Sequence, residues 1–304
     1  MERSVLEKIK QGIIFEAKQM REINKAIPVN GTRIQISANN RRIEAVYYKA
    51  ETNNAPLLVC MHGGGFLFGG CALDDKMWNE FRNLYGVNVI SIEYRKSPEF
   101  QYPAALVDVY DAVEYLIDHV EEYGFDSDKI AVFGASAGAT LAAAVCLYAK
   151  ESGKNYFKFQ LLEYPFLDCA TDPVEKGMIE EESGPFYLFN EMYVGNENPK
   201  KATISPVFAT RDELSGLPPA YIVIAEKDSL RAEAELYEKH LNQAGISVRT
   251  HLAKNMGHGY IEFYYNDSEE GFLPAFIPEA RKNGSLEREV KQTLLFFKQA
   301  FEEL

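Results

Sequence analysis

Hydrophobic positions along the chain follow two periods, and each period predicts a different kind of element. Continuous apolar runs at residues 57–61, 130–133 and 157–162 are typical of strands that are buried on both faces. Apolar residues that recur every three or four positions, as along residues 106–116, predict helices with one buried face. Because strands and helices alternate in this way, and do so again after residue 219, the pattern predicts an α/β fold. Its central sheet should be mostly parallel, with helices on both faces.

The two ends of the chain carry elements outside this alternation. Residues 33–37 and 42–49 alternate polar and apolar side chains around a polar turn, which predicts an antiparallel hairpin. Residues 286–301 predict a last helix capped by Ser285. A first helix over residues 1–27 is expected to bury one stripe, made of Leu6, Ile9, Ile13, Ala17 and Met20.

Residues 168–214, approximately, form an insertion that interrupts the alternation. The segment has no strand pattern of its own and carries four aromatic side chains: Phe186, Tyr187, Phe189 and Tyr193. These rings could form a satellite core or the roof of a pocket. We favour the roof, because the segment leaves the sheet at the strand end where the active sites of such sheets form.

The composition is that of a globular protein and narrows its partners. The chain has 304 residues, of which 46% are hydrophobic, and its formal net charge is -13. This charge would repel nucleic acid and anionic lipid, and no apolar run is long enough to span a membrane. The N-terminus lacks the apolar core of a signal peptide, so we expect a cytoplasmic protein. The cysteines are expected to be ordinary buried thiols, and they are Cys60, Cys71, Cys146 and Cys169.

The segment Gly134-Ala135-Ser136-Ala137-Gly138 falls between a predicted strand and a predicted helix. A serine in so sharp a turn needs small residues two positions before and after it, and the turn lifts its hydroxyl above the sheet. The pattern therefore indicates a nucleophile elbow centred on Ser136. A turn of small residues that only lets the helix pack on the strand fits the same segment.

A second glycine-rich segment, His62-Gly63-Gly64-Gly65-Phe66, directly follows the apolar run at residues 57–61. Three consecutive glycines are costly in conformational entropy, so they need a reason. Bare backbone at this point can bring its N–H groups against a ligand oxygen. We therefore expect an oxygen-binding loop here, with a merely flexible loop as the alternative.

A serine hydroxyl becomes a good nucleophile only when a base accepts its proton and a carboxylate orients that base. Among the five histidines, only His258 stands in a loop directly after a predicted strand, and the glycines beside it let its ring reach the sheet edge. Asp228 follows the strand that ends at residue 225 and is the carboxylate best placed for that edge, with Glu226 as the runner-up. The resulting chain order, serine, aspartate, histidine, is the order of α/β-hydrolase chemistry.

With these residues in place, the chain resembles the hormone-sensitive-lipase-like family of α/β-hydrolases. It is similar in form to bacterial acetyl esterases and other short-chain carboxylesterases. The resemblance runs from about Leu57 to Gly259. It rests on the segments quoted above and on four more, which are Tyr94-Arg95 with Ser97-Pro98-Glu99, Tyr102-Pro103-Ala104-Ala105-Leu106, Leu217-Pro218-Pro219-Ala220 and Glu226-Lys227-Asp228.

The resemblance implies a role for each matching residue. Ser136 would be the nucleophile, His258 the general base and acid, and Asp228 the group that orients the histidine. The oxyanion hole would consist of three backbone amides, those of Gly64, Gly65 and Ala137.

The resemblance also implies an architecture and a reaction. Residues 1 to about 30 and about 168–214 would form a cap over the site of a single domain that spans residues 1–304. The expected reaction is hydrolysis of a small-molecule ester through an acyl-enzyme intermediate, with no metal or other cofactor.

Two features depart from the family pattern. The family elbow usually reads Gly-Asp-Ser-Ala-Gly-Gly, whereas Ala135 replaces the acid here and Ala139 replaces the last glycine. Hydrogen bonds that the acid would make to support the elbow are therefore missing. The segment of residues 261–285 is longer than we expect for the family. Its rings could line the pocket or join the subunits of a homo-oligomer, and they are Phe263, Tyr264, Tyr265, Phe272 and Phe276.

Aromatic residues near the glycine loop and in the insertion indicate a crowded pocket. We predict substrate-binding roles for four of them, which are Phe66, Phe68, Phe186 and Tyr187, and we expect Trp78 to crowd the same pocket. A crowded pocket cannot accept added methylenes without strain. The sequence therefore favours acetyl to butyryl esters over long-chain lipids.

Three other functions fit parts of the sequence. A deacetylase or amidase would use the same three catalytic residues. A non-catalytic binding protein is the second alternative, because plant gibberellin receptors resemble this family yet have lost the catalytic histidine that His258 would supply. Metal-dependent hydrolysis through His251, His258 and Asp228 is the third, but these residues lack compact ligand spacing.

Overall fold

The central element is one β-sheet, seen in a computed structural model that describes residues 3–266 and 274–304, with the backbone alone for residues 3–6 and 180–182. Eight strands of these described residues lie in the order β1-β2-β4-β3-β5-β6-β7-β8. They are β1 (Thr32–Ala38), β2 (Arg41–Tyr48), β3 (Ala55–Met61), β4 (Asn88–Ile92), β5 (Phe125–Ala135), β6 (Phe157–Glu163), β7 (Ala220–Ala225) and β8 (Val248–Ala253).

The direction of the strands follows the prediction of a mostly parallel sheet. β1 pairs with β2 and β2 pairs with β4 in antiparallel register. All other neighbouring pairs, from β4 to β8 across the sheet, are parallel. The carboxyl ends of β3, β5, β6, β7 and β8 therefore meet at one edge, where ligand sites of open α/β sheets form.

Helices cover both faces of the sheet, as the α/β pattern predicts. They are α1 (Arg3–Lys25), α2 (Asp75–Tyr85), α3 (Ala104–Asp118), α4 (Val120–Tyr123), α5 (Ala137–Glu151), α6 (Glu180–Val194), α7 (Arg211–Leu214), α8 (Arg231–Gln243), α9 (Tyr260–Tyr265), α10 (Phe276–Lys282) and α11 (Ser285–Glu302).

Two apolar cores separate these layers. Val59 and its alternate neighbours on β3 pack in the core that contains α3, α5 and α8, whereas Leu58 packs in the core that contains α2 and α11. Successive side chains of a strand point to opposite faces, so a strand with a core on each side must be apolar throughout. This requirement explains the continuous apolar run that predicted β3.

Two element boundaries differ from the prediction. β5 begins at Phe125, five residues before the predicted start, because its first part is polar and its register shifts between Ile130 and Val132. Phe125 is nevertheless buried and pairs with Ala55. The proposed Ser285 cap is wrong, since Gly284 holds the cap position with a φ of 70° and Ser285 is the first residue of α11.

The predicted buried stripe of the first helix is only partly buried. Ala17 is fully buried and Ile13 is half-buried, but Ile9 and Met20 are 42% and 44% exposed. The Leu6 side chain lies outside the described residues. α1 is instead held in place by polar contacts, which include a 2.7 Å hydrogen bond from Arg21 Nε to the carbonyl oxygen of Leu67.

The described helices and cysteines agree with two simpler expectations. None of these helices combines the length and the apolar character that crossing a membrane requires. All four cysteines are buried free thiols, as expected.

Candidate active site

Ser136 stands at the turn between β5 and α5, with a φ of 52° that is uncommon and strained for any residue with a side chain. The glycines on either side make this turn feasible. A Cβ atom on Gly134 would overlap the backbone of Gly138, and a Cβ atom on Gly138 would overlap the carbonyl oxygen of Met61. The close approach of α5 to the sheet therefore explains the glycine spacing that the sequence shows.

The turns after three strands bring three side chains together above the carboxyl edge of the sheet. Nε2 of His258 lies 2.9 Å from Oγ of Ser136. Nδ1 of the same ring lies 2.7 Å from Oδ2 of Asp228. These distances allow one ring to take a proton from the serine while the carboxylate holds the opposite nitrogen.

The surroundings of His258 favour its protonated form. Burial disfavours the imidazolium, but the charge of Asp228 and the hydrogen bond to it, together with the charge of Glu262, outweigh burial and raise the pKa of His258 above its usual value. Asp228 is itself buried and accepts a 2.9 Å hydrogen bond from the backbone N–H of Leu230. The carboxylate is thus fixed in direction before any substrate arrives.

The glycine loop faces Ser136. Gly64 and Gly65 have φ values of 115° and 58°, which glycine adopts readily. A Cβ atom on Gly65 would lie 2.8 Å from the ring of Phe189. In the part of the chain that the structure describes, the amides of Gly64, Gly65 and Ala137 donate to no protein acceptor. These three N–H groups are available to an oxygen atom of a ligand.

A buried histidine supports this loop from below. His62 stacks on Tyr94 with 4.3 Å between ring centroids, and the Tyr94 hydroxyl donates a 2.8 Å hydrogen bond to the carbonyl oxygen of His62. Burial and the charge of Lys96 lower the pKa of His62 to about 3. A neutral ring at the start of the loop is a structural support, which separates His62 from the histidine beside Ser136.

Comparison with known proteins agrees with this geometry. Residues 58–262 match a protein family described as having the α/β hydrolase fold. The chain belongs to the α/β-hydrolase family. The predicted fold class and the resemblance to esterases of this family are therefore confirmed.

Individual relatives of this α/β-hydrolase are esterases. The chain is 34% identical to esterase LipI of Mycobacterium tuberculosis over 239 residues, which are 76% of this chain and 71% of that protein. It is 30% identical to an arylesterase of Saccharolobus solfataricus, with 71% of this chain and 72% of that protein covered. The solved structure of a Pyrobaculum calidifontis esterase superposes with a TM-score of 0.72 at 28% identity, covering 97% of this chain and 94% of that one.

A cavity of about 410 Å³ opens between the glycine loop, the elbow and the His258 loop of this α/β-hydrolase. Ser136 and His258 lie in its wall. Its apolar lining consists of Met20, Phe68, Leu73, Phe166, Phe186, Phe189 and Phe263. Two of the four predicted substrate-binding residues, Phe68 and Phe186, thus face the cavity. The insertion contributes a wall through α6, as the roof interpretation requires.

The other two predicted substrate-binding residues lie away from the cavity, so their predicted positions are wrong. Phe66 has a φ of 65° that turns its ring into the core, where it stacks on Tyr193 at 3.7 Å between centroids. Tyr187 is 42% exposed on the outer side of α6, and its hydroxyl donates to Asp172. Trp78 is also wrong, because it is buried against Phe133 in the core beneath the sheet.

The segment after His258 contributes one side chain to the cavity. Phe263 on α9 lines it, whereas Tyr265 donates a hydrogen bond to Glu80 and Phe276 packs closely against Gly257. Tyr264 contacts the ring of Tyr265. Phe272 lies outside the described residues, so the alternative of a contact between subunits stays a prediction.

Three carboxyl groups that sequence reasoning did not single out lie near the site. Glu262 lines the cavity and accepts a hydrogen bond from the hydroxyl of Tyr164. Burial and the charge of Glu262 raise the pKa of Asp74 to about 8, and they raise the pKa of Glu163 well above its usual value. The position of Glu262, four residues after His258, is the one signal that could have identified it.

The remaining sequence alternatives are resolved by their contacts. Glu226 accepts a hydrogen bond from the backbone of Asn255 and does not contact His258. His251 is bonded to Glu289, so the three ligands of the metal alternative do not come together. Within the described residues, no three His, Cys, Asp or Glu side chains are grouped in a way that could hold a metal ion.

Proposed function

We propose that this protein is a serine carboxylesterase that hydrolyses short-chain esters, with Ser136, His258 and Asp228 as its catalytic residues. The observation that carries the proposal is the position of one imidazole between Ser136 Oγ, at 2.9 Å, and Asp228 Oδ2, at 2.7 Å. The esterase names of the relatives support the same reaction class.

The first half of the reaction forms the acyl-enzyme. Oγ of Ser136 attacks the ester carbonyl carbon while Nε2 of His258 accepts the serine proton, and Asp228 stabilises the imidazolium. The negative oxygen of the tetrahedral intermediate accepts hydrogen bonds from the amides of Gly64, Gly65 and Ala137. Each such donor contributes roughly 10² to 10³ in rate. The ester C–O bond then breaks, and the alcohol oxygen takes the proton from His258.

The second half of the reaction releases the acid. Water takes the place of the alcohol and gives a proton to His258 as it attacks the acyl carbon. The intermediate collapses, Ser136 Oγ leaves with the proton from His258, and the carboxylic acid departs. Both halves use the same base and the same amides, so the proposed chemistry includes no metal or organic cofactor.

The acyl preference follows from the size and lining of the cavity. A space of about 410 Å³ that is bordered by five phenylalanine rings must hold both parts of the ester. Added methylenes would have to displace rings that pack on one another, such as Phe186 against Phe189. We therefore expect kcat/KM to be highest for acetyl to butyryl among p-nitrophenyl esters, and a maximum at roughly ten carbons or more would contradict the proposal.

The catalytic assignment is tested by Ser136→Ala. We expect kcat for p-nitrophenyl acetate to fall by at least about 10³-fold, because no other group can form the acyl-enzyme. Ser152→Ala is a matched control, since Ser152 follows the same helix at its far end and is exposed. Normal hydrolysis by the Ser136→Ala protein would overturn the assignment.

Several finer features belong to the same proposal. The chain would act as a single domain over residues 1–304, with residues 1 to about 30 and about 168–214 as its cap, and it would function in the cytoplasm on a small-molecule ester. A homo-oligomer stays open as a further prediction. Cell fractionation tests the location, and light scattering on the purified protein tests the oligomeric state.

A further inference from the structure

Two polar side chains besides those of Ser136 and His258 line the cavity, although the rest of its side chains are apolar. They are Asn24, from α1, and Glu262, from α9. Burying a polar group in an apolar site costs free energy unless a partner satisfies it. Their presence therefore indicates a ligand with a matching polar or charged group.

Glu262 lies on the side of the cavity where the alcohol must leave. It follows His258 by about one helical turn, and His258 has to reach the alcohol oxygen to protonate it. Its Oε1 atom and the Cβ atom of Ser136 lie 3.7 and 3.5 Å from the point that a Cβ atom on Gly63 would occupy. Tyr164 donates to the other oxygen, Oε2, and so holds the carboxylate in place.

Asn24 gives an independent indication of a ligand. The residue is 7% exposed, yet its side-chain amide has no hydrogen-bond partner among the described residues. Buried amides are nearly always paired in folded proteins. Because the Asn24 side chain also lines the cavity, its carbonyl oxygen is available to a group of the bound substrate.

The charges around the cavity favour a cation. No lysine or arginine is among the described residues that line it. Lys176 lies 5.1 Å from the centroid of the Phe166 ring but is outside this lining and pairs with Glu233. A neutral apolar alcohol would desolvate Glu262 without compensation, whereas an ammonium group would neutralise it. The faces of several phenylalanine rings would add cation–π attraction.

We propose that Glu262 selects esters whose alcohol part carries an alkylammonium group, with Asn24 as a second polar contact. This inference rests on the proposed esterase function and adds a substrate class to it. The carboxylate attracts the ammonium, the phenylalanine rings contact its methylene or methyl groups, and the ester carbonyl then lies between Ser136 and the glycine loop.

A matched pair of substrates tests the inference. Acetylcholine and 3,3-dimethylbutyl acetate have the same shape and the same acyl group, and only the first carries a charge. We expect kcat/KM to favour acetylcholine by roughly tenfold, which is the size of one partly desolvated charge interaction with aromatic support. In Glu262→Gln this ratio should fall to about one, because the amide keeps the shape and loses the charge. Glu121→Gln, an exposed change on α4, should keep the wild-type ratio.

A measurement on the unaltered protein covers the case in which Glu262→Gln fails to fold. Choline should inhibit hydrolysis of p-nitrophenyl acetate at roughly tenfold lower concentration than 3,3-dimethylbutanol does. Equal inhibition by the two alcohols, or a substrate ratio of about one in the unaltered protein, would overturn the inference and leave the esterase proposal standing. Failure to hydrolyse either ester or p-nitrophenyl acetate would overturn the esterase proposal itself.

Discussion

At the elbow, an acidic residue stands on the neighbouring strand instead of directly before the nucleophile. Ala135 occupies the position where the family usually has aspartate, and it pairs across β5 and β6 with Glu163. Paired residues of adjacent strands project to the same face of a sheet, so an aspartate at position 135 would lie beside Glu163. Glu163 is 1% exposed, and burial with the charge of Glu262 raises its pKa well above the usual value. The alanine thus avoids a second buried acid.

This arrangement predicts the effect of restoring the family residue. Ala135→Asp should lower the free energy of unfolding by about 2–5 kcal/mol, because it buries another carboxyl group beside Glu163 without a cation. Urea unfolding of the purified variant measures this loss. The double variant with Glu163→Leu should recover part of it, and an Ala135→Asp protein as stable as the original would contradict the explanation.

The pH dependence of activity reports on His258. Its neutral ring is the base, so kcat/KM should decline as the pH falls through its raised pKa, which places the acid limb above the usual 6.5. Asp228→Asn removes the main group that stabilises the imidazolium, so the midpoint should move to lower pH and the rate should fall by roughly 10⁴-fold. A pH profile of both proteins tests this, and an unchanged midpoint in Asp228→Asn would exclude the assigned partner.

At the scale of elements, a single arginine connects α1 to the glycine loop. Arg21 Nε donates to the carbonyl oxygen of Leu67 at 2.7 Å, and its other nitrogens contact Ser97 and Glu99. The helix that contributes Asn24 to the cavity is therefore fixed by hydrogen bonds more than by its exposed apolar stripe.

Removing this connection should affect both stability and catalysis. In Arg21→Ala we expect the free energy of unfolding to fall by about 2 kcal/mol, since the charged donor of two carbonyl groups is lost. We also expect kcat/KM for p-nitrophenyl acetate to decrease, because the loop that carries Gly64 and Gly65 loses its support. Lys25→Ala on the same helix is the control, as its exposed pair with Glu22 contributes little. Equal behaviour of the two variants would refute the role of Arg21.

The elements were more predictable from sequence than the walls of the cavity. Periodicity distinguishes strands from helices, so β3 and β7 could be placed from their apolar runs alone. Periodicity does not reveal where a loop turns, and the left-handed conformation of Phe66 directs its ring into the core. Asn24 and Glu262 come together only through the tertiary fold, since they are far apart in the chain and neither belongs to a recognisable motif.

At the scale of the whole molecule, the topology explains why the three proposed catalytic residues could be selected. Ser136 follows β5, Asp228 follows β7 and His258 follows β8. Parallel strands bring their carboxyl ends to one edge, so side chains that follow such strands converge whatever their separation in sequence. The order of the strands across the sheet was not needed for this inference, which is why the site was predictable from a topology known only in outline.

The central claim is that Ser136 is a nucleophile activated by His258. The most direct measurement is peptide mass spectrometry after reaction with a fluorophosphonate, which labels serines that are activated in this way. Our account predicts one labelled peptide, modified at Ser136, and loss of the label in His258→Ala because the hydroxyl then has no base. An unlabelled Ser136, or equal labelling of the His258→Ala protein, would contradict it.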